Sequence, residues 1–101
     1  MDLSISPAPY EVKTGSYVGD ASSNKAIAHS CGVIPKFIIV YAISYNYLIT
    51  RQGQISKFDN TALTMLGCTV PDATNFYVGN ATNYANSANA NGTTYYFTAI
   101  P

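Results

Sequence analysis

The sequence predicts an all-β protein, a single antiparallel β-sandwich of jelly-roll or Greek-key-like kind carrying an extended N-terminal arm. Three observations carry that prediction. Apolar and polar residues alternate with a period of two in several segments, the signature of half-buried strands. Gly, Pro, Asn and Asp clusters separate those segments at close spacing, as turns between short strands require. No segment shows apolar residues at the 3.6-residue spacing of an ordinary helix.

Residues 1–9 form the arm. Pro7 and Pro9 bar helix, and Ala8 is pushed to extended geometry by the proline after it. Residues 10–101 form the domain. Tyr10, Val12 and Thr14 alternate with Glu11 and Lys13 as a first strand, which Gly15 interrupts ahead of Ser16-Tyr17-Val18. Gly19 to Asn24 is a turn cluster, and Lys25 to His29 a short alternating strand. The run Lys36 to Ile43 is β-branched and aromatic throughout and reads as a strand buried on both faces. Ser44 to Thr50 continues it or pairs back on it. Gln52-Gly53-Gln54 turns the chain into Ile55–Phe58. The stretch Thr61 to Val70 favours strand over a helical turn because of its threonines and Gly67. Two aromatic-rich strands, Phe76–Val78 and Thr93–Ile100, flank an uncharged loop of Asn, Ala, Ser and Thr. Roughly six to eight short strands of this kind make a sandwich or barrel.

Composition narrows the function. A chain of 101 residues is one domain. Only 10% of its residues are charged, five acids against five bases, where about 25% is usual. So few charges leave a free monomer prone to association, which coverage by other subunits would resolve. The bases are scattered and form no stripe to neutralise phosphates, so nucleic acid is not expected as a partner. The longest apolar run falls far short of the about 20 residues that span a membrane, and residues 1–7 lack the basic and apolar regions of a signal peptide.

Candidate chemistry is sparse. His29 is the sole histidine, and its sequence neighbours Ala28 and Ser30 supply neither an orienting acid nor a nucleophile elbow. One His with Cys31 and Cys68 does not match zinc spacing. Asp20, Asp59 and Asp72 fall in loops and read as Asx-type turn residues rather than a calcium loop. The two cysteines read as buried free thiols, with one disulfide as the alternative. Asn80-Ala81-Thr82 and Asn91-Gly92-Thr93 match the glycosylation pattern by chance in so Asn-rich a loop. No catalytic residue, metal or cofactor is expected. Nine tyrosines without tryptophan point instead to contact surfaces. Tyr45, Tyr47 and Tyr84, in polar loop-like surroundings, together with Asn80 and Asn83, are the candidate exposed or oligomer contacts, with loop 80–92 facing solvent or an oligomer axis.

Three segments in order carry a family resemblance. Thr14-Gly15-Ser16-Tyr17-Val18-Gly19-Asp20-Ala21 through Lys25-Ala26-Ile27, then Gly32-Val33-Ile34-Pro35-Lys36-Phe37-Ile38-Ile39-Val40, then Phe76-Tyr77-Val78-Gly79 with Asn91-Gly92-Thr93-Thr94-Tyr95-Tyr96-Phe97, resemble small β-sandwich modules of tailed-phage virion proteins. The aromatic that those modules place after the glycine is absent here, with Val33 and Ile34 following Gly32 instead. The resemblance implies a capsid decoration (cement) protein on the outer surface of the virion, with the major capsid protein as partner and a homotrimer at local threefold axes. It implies that the arm residues Asp2, Leu3, Ile5, Pro7 and Pro9 touch the shell. Related modules at tail-fibre tips imply the alternative, a lectin-like receptor-binding function. One module with a short arm fits decoration better than a fibre tip.

Overall fold

The computed structural model describes residues 11–43, 45–58, 63–80 and 83–101; the arm residues and Asp59 lie outside them. Among the described residues eight strands run in order: β1 (Lys13–Val18), β2 (Lys25–Ala28), β3 (Phe37–Tyr41), β4 (Asn46–Thr50), β5 (Gln54–Phe58), β6 (Leu63–Gly67), β7 (Asn75–Val78) and β8 (Thr94–Ile100), with a 3₁₀ turn at Ala85–Ser87. They form two antiparallel sheets, one of six strands in the order β1-β8-β3-β4-β5-β6 and one pairing β2 with β7. The sandwich is therefore uneven: a broad sheet is covered by a ribbon of two short strands.

The meander β3 to β6 follows from its turns. Gly53 closes the β4–β5 hairpin at φ +82° while its N–H donates to Thr50 O at 3.1 Å, a conformation that glycine adopts without a Cβ penalty. Arg51 ties this hairpin to the segment before β3, donating to Ile34 O at 2.8 Å and Pro35 O at 3.2 Å. The last strand then slots between the first and third, with Tyr17 opposite Tyr95 and Ile38 opposite Ala99.

β1 runs straight through Gly15, where the sequence predicted an interruption. A Cβ there would lie 2.6 Å from Cζ of Phe97, so the missing side chain makes room for the Phe97 ring rather than breaking the strand. The alternation is set by Lys13, Gly15 and Tyr17 on the inner side, and Val12 is exposed.

The core lies between the sheets. Ile38, Val40, Ile49, Ile55 and Ala99 of the broad sheet pack with Ile27, Phe76 and Val78 of the ribbon. Phe76 meets Phe97 edge-on at 5.0 Å and Tyr17 at 6.3 Å, arrangements that suit the ring quadrupoles. Each fully buried side chain of this size contributes about 1.5–3 kcal/mol of transfer free energy. Cys31 is buried, Cys68 is partly buried, and both are free thiols. Burial pushes the Cys68 thiol up to about 11 and Cys31 in the same direction.

The run Phe37–Ile43 departs from its prediction. It is not buried on both faces: Ile38 and Val40 are buried, whereas Ile39 and Tyr41 stand on the outer side of the sheet and Ile43 is fully exposed.

Candidate functional site

The outer side of the six-stranded sheet holds the most distinctive surface. Directly opposed residues on neighbouring strands share a face, so the register defines its rows. One row crosses the sheet as Ser16, Tyr96, Tyr41, Asn46, Phe58 and Leu63, and the next as Thr14, Thr98, Ile39, Leu48, Ser56 and Met65. Among the described residues no outward-pointing position of this sheet carries a charged side chain. The large apolar side chains stay open: Met65 is 56% exposed, Leu63 55%, Tyr96 47%, Tyr41 44%, Phe58 42% and Ile39 40%. Tyr41 and Tyr96 stack on one another at 5.5 Å and 25°. Beside them a depression of about 560 Å³ is lined by Tyr41, Ala42, Ile43, Thr93, Thr94 and Tyr96. Exposed apolar patches beyond a few hundred Å² mark interaction sites, and this one is bounded by the edge strands β1 and β6.

The Asn/Ala loop behaves in the opposite way. Ser87, Ala88 and Asn89 are buried, so the middle of the loop does not face solvent, whereas Ala85, Asn91 and Gly92 are exposed. Three tyrosines from the inner face hold it. Tyr17 donates its hydroxyl to Ala88 O at 2.8 Å, Tyr47 donates to Ala85 O at 2.8 Å, and Tyr95 accepts from the Ala90 N–H at 3.0 Å. Burial raises the Tyr17 and Tyr47 phenols well above their ordinary value. The loop runs at backbone distance from the β1–β2 turn, where a Cβ at Gly19 would collide with Ala90 O. At Gly79, with φ +88°, any Cβ would collide with Ser22 O.

Asn89 extends this lid to the β1–β2 turn. Its Oδ1 accepts from the Asp20 N–H at 3.1 Å, while its Nδ2 donates to Ser22 O at 2.7 Å and to the Asp20 carboxylate at 3.1 Å. Asp20 also accepts from the Ser22 hydroxyl and from Lys25 Nζ at 3.0 Å. These hydrogen bonds, from Ser22 first and then Lys25 and Asn89, hold the Asp20 carboxyl well below the usual carboxylate range.

His29 is buried with both ring nitrogens engaged. The Cys31 N–H donates to Nδ1 at 3.0 Å, which leaves the ring hydrogen on Nε2, 2.7 Å from Asp72 O. The imidazole thus joins the end of β2 to the loop before β7 and offers no free lone pair. Asp72 organises that loop, accepting from the Thr74 N–H at 2.8 Å, the Asn75 N–H at 2.7 Å and the Tyr77 hydroxyl at 2.6 Å. Led by the Tyr77 hydroxyl, these donors lower its carboxyl below the ordinary value. Asp20 and Asp72 are the Asx-type turn residues that the sequence predicts. Among the described residues no group of three His, Cys, Asp or Glu side chains is placed to hold a metal ion.

The sequence-predicted contact residues fall in three different places. Tyr47 is a correction: it lies on β4, only 2% exposed, because the strand alternation turns it inward with Ile49. Tyr45 is exposed, and its ring carries Lys57 Nζ at 3.8 Å from the centroid. Tyr84, Asn80 and Asn83 are half-buried within the lid. The Tyr84 carbonyl accepts from the Asn89 N–H at 2.9 Å, and the Asn83 carbonyl accepts from the Ser87 hydroxyl at 2.7 Å. The Asn80 amide reaches the Gly67 carbonyl on the edge strand β6. None of these belongs to the open face. Sequence reading passed over that face, although the signal was present: alternate positions of β3, β6 and β8 are apolar or hydroxylated, those of β5 are Gln54, Ser56 and Phe58, and none is charged.

Compared with family models, curated proteins and solved structures, the chain matches none.

Proposed function

We propose that this chain is a structural assembly protein, a decoration (cement) protein of a bacteriophage head that acts by adding buried interface and performs no chemistry. The observation that carries the reading is the uncharged, apolar outer face of the broad sheet. A surface of that kind is costly to leave in water and cheap to desolvate against another protein, because no ion must be stripped of its hydration. Supporting it, the one histidine is engaged on both nitrogens within the fold, and the motif order resembles virion modules. In this reading copies associate through the open face, and the arm residues Asp2, Leu3, Ile5, Pro7 and Pro9 reach the major capsid protein. Many weak contacts on one shell then add as avidity.

Quantitative mass spectrometry of purified particles, scaled to the major capsid protein, tests the reading. Hundreds of copies are expected, and add-back of a chain lacking residues 1–9 should leave bare particles undecorated. Absence from the particles would overturn the reading. A handful of copies would favour the second one, a lectin-like receptor-binding tip. That alternative draws on the stacked Tyr41 and Tyr96 beside their uncharged depression, a surface on which a sugar ring could stack.

A further inference from the structure

We infer that the outer face of the six-stranded sheet is the interface between two copies of this chain, packed sheet on sheet about a twofold axis. This rests on the reading of that face as the surface through which copies assemble, and it names the occupant and the symmetry.

Charge comes first. A partner surface bearing Lys, Arg, Asp or Glu would bury those ions against a face that has no counter-charge to offer, at a large desolvation cost. A matching partner must itself be uncharged and apolar, and the surface on this chain that meets that description is the face itself.

Area is the second argument. Six strands about 4.8 Å apart, each about five residues long at about 3.4 Å per residue, cover roughly 400–500 Å² in plan, and side-chain relief raises the accessible area above that. The aromatics Tyr41, Phe58 and Tyr96, each about 150–250 Å² in full and 42–47% exposed, alone present roughly 200–350 Å². Ile39, Leu63 and Met65 add to this. The face is thus on the scale of the about 800 Å² that each partner gives to a standard interface.

Symmetry is the third. Sheets stack face to face about 10 Å apart with their strands within about 30° of alignment, and one face packed on its own copy is isologous, which closes at two. The threefold association that the resemblance implies would need each copy to offer two different complementary patches. The remaining exposed apolar residues of the described chain, such as Val12, Ile34 and Val70, are scattered outside the strands and form no second patch of comparable size.

Sedimentation equilibrium of the full chain at about 10–100 μM tests this. The expected result is a species of twice the 10.8 kDa chain mass, reduced to monomer by the double substitution Ile39→Lys and Met65→Lys, with a dissociation constant raised at least 100-fold. Val70→Lys, off the face, should remain dimeric. A wild-type monomer across that range, a trimer, or a double variant that stays dimeric would overturn the inference. Should the double variant fail to fold, hydroxyl-radical footprinting of the wild-type chain decides: Met65 and Tyr96 should lose reactivity as concentration rises, and unchanged reactivity would overturn the proposal. A dimer whose copies are missing from particles would keep this inference and remove the decoration reading. Particle-bound copies of a chain that never dimerises would do the reverse.

Discussion

The two faces of the broad sheet are written with nearly the same alphabet and meet opposite fates. The inner face carries Ile38, Val40, Ile49, Ile55, Tyr95 and Phe97; the outer carries Ile39, Leu48, Tyr41, Phe58, Met65 and Tyr96. Inner residues are buried because β2, β7 and the lid loop cover them, whereas the outer residues have no covering element among the described residues. Burial is thus set by what lies across from a side chain rather than by its apolarity. An apolar face with no cover among the described residues is the surface on which a partner is proposed to pack.

Neighbouring residues on one strand give the sharpest way to break that comparison. Ile38 is fully buried and Ile39 faces out. Ile38→Ala should cost about 2–5 kcal/mol of unfolding free energy through lost transfer energy and the cavity left behind. Ile39→Ala, measured by urea denaturation at concentrations dilute enough to hold the monomer, should cost less than about 1 kcal/mol. Equal costs would mean that the two faces are not distinguished within the monomer. A cost for Ile39→Ala that grows with protein concentration would sharpen the comparison, because mass action then adds the interface to the stability.

The lid is the second place to press, since it completes the inner face. Asn89 is buried and satisfies the Asp20 N–H, the Ser22 carbonyl and a carboxylate oxygen at once. Asn89→Ala leaves the first two without their partner and should cost about 1–3 kcal/mol, read from the denaturation midpoint. Its effect should be the same at low and high protein concentration, because the lid does not belong to the open face. A variant that dissociates copies without lowering monomer stability would refute that separation.

How much of this was legible in the sequence follows from the range over which each feature is encoded. Strands and turns were readable because they are local: the period-two alternation in Lys25–Ala28, the Gly53 hairpin and the Asp20 and Asp72 turns each lie within a few residues of chain. The lid was not, because it is held by Tyr17 and Tyr47, 71 and 38 positions away from the carbonyls that they bind. A loop of Asn, Ala and Ser reads as hydrated until those hydroxyls are placed over it. Tyr47 was misread for a related reason: its neighbour Asn46 is polar, but the alternation with Ile49 decides its side. The β3 run was misread in the most instructive way. Its continuous apolarity signals two covers, and the described residues supply one of them.

The smallest expected effect is a pH dependence, and it separates the two faces by chemistry. Among the described residues the outer face carries nothing that titrates near or below neutrality, whereas the loops that close the inner face depend on Asp20 and Asp72. Both carboxyls are depressed below their ordinary value, Asp20 first by the Ser22 hydrogen bond and Asp72 first by the Tyr77 hydroxyl. A carboxyl with a lowered folded-state value binds its proton more weakly folded than unfolded. Its contribution is therefore fully present above the unfolded value near 4 and is lost as the pH falls through that value toward the folded one. Both groups lie at the surface, where solvent screens such contributions, so the loss should be modest. Urea midpoints taken from pH 7 to pH 2 should stay level down to about pH 5 and then fall, and Asp72→Asn should flatten part of that fall. Association through an uncharged face should not share the profile: the dissociation constant measured between pH 7 and pH 5, where the fold is intact, should hold constant. A constant that shifts over that interval would place a titrating group at the interface and count against the sheet face as the contact.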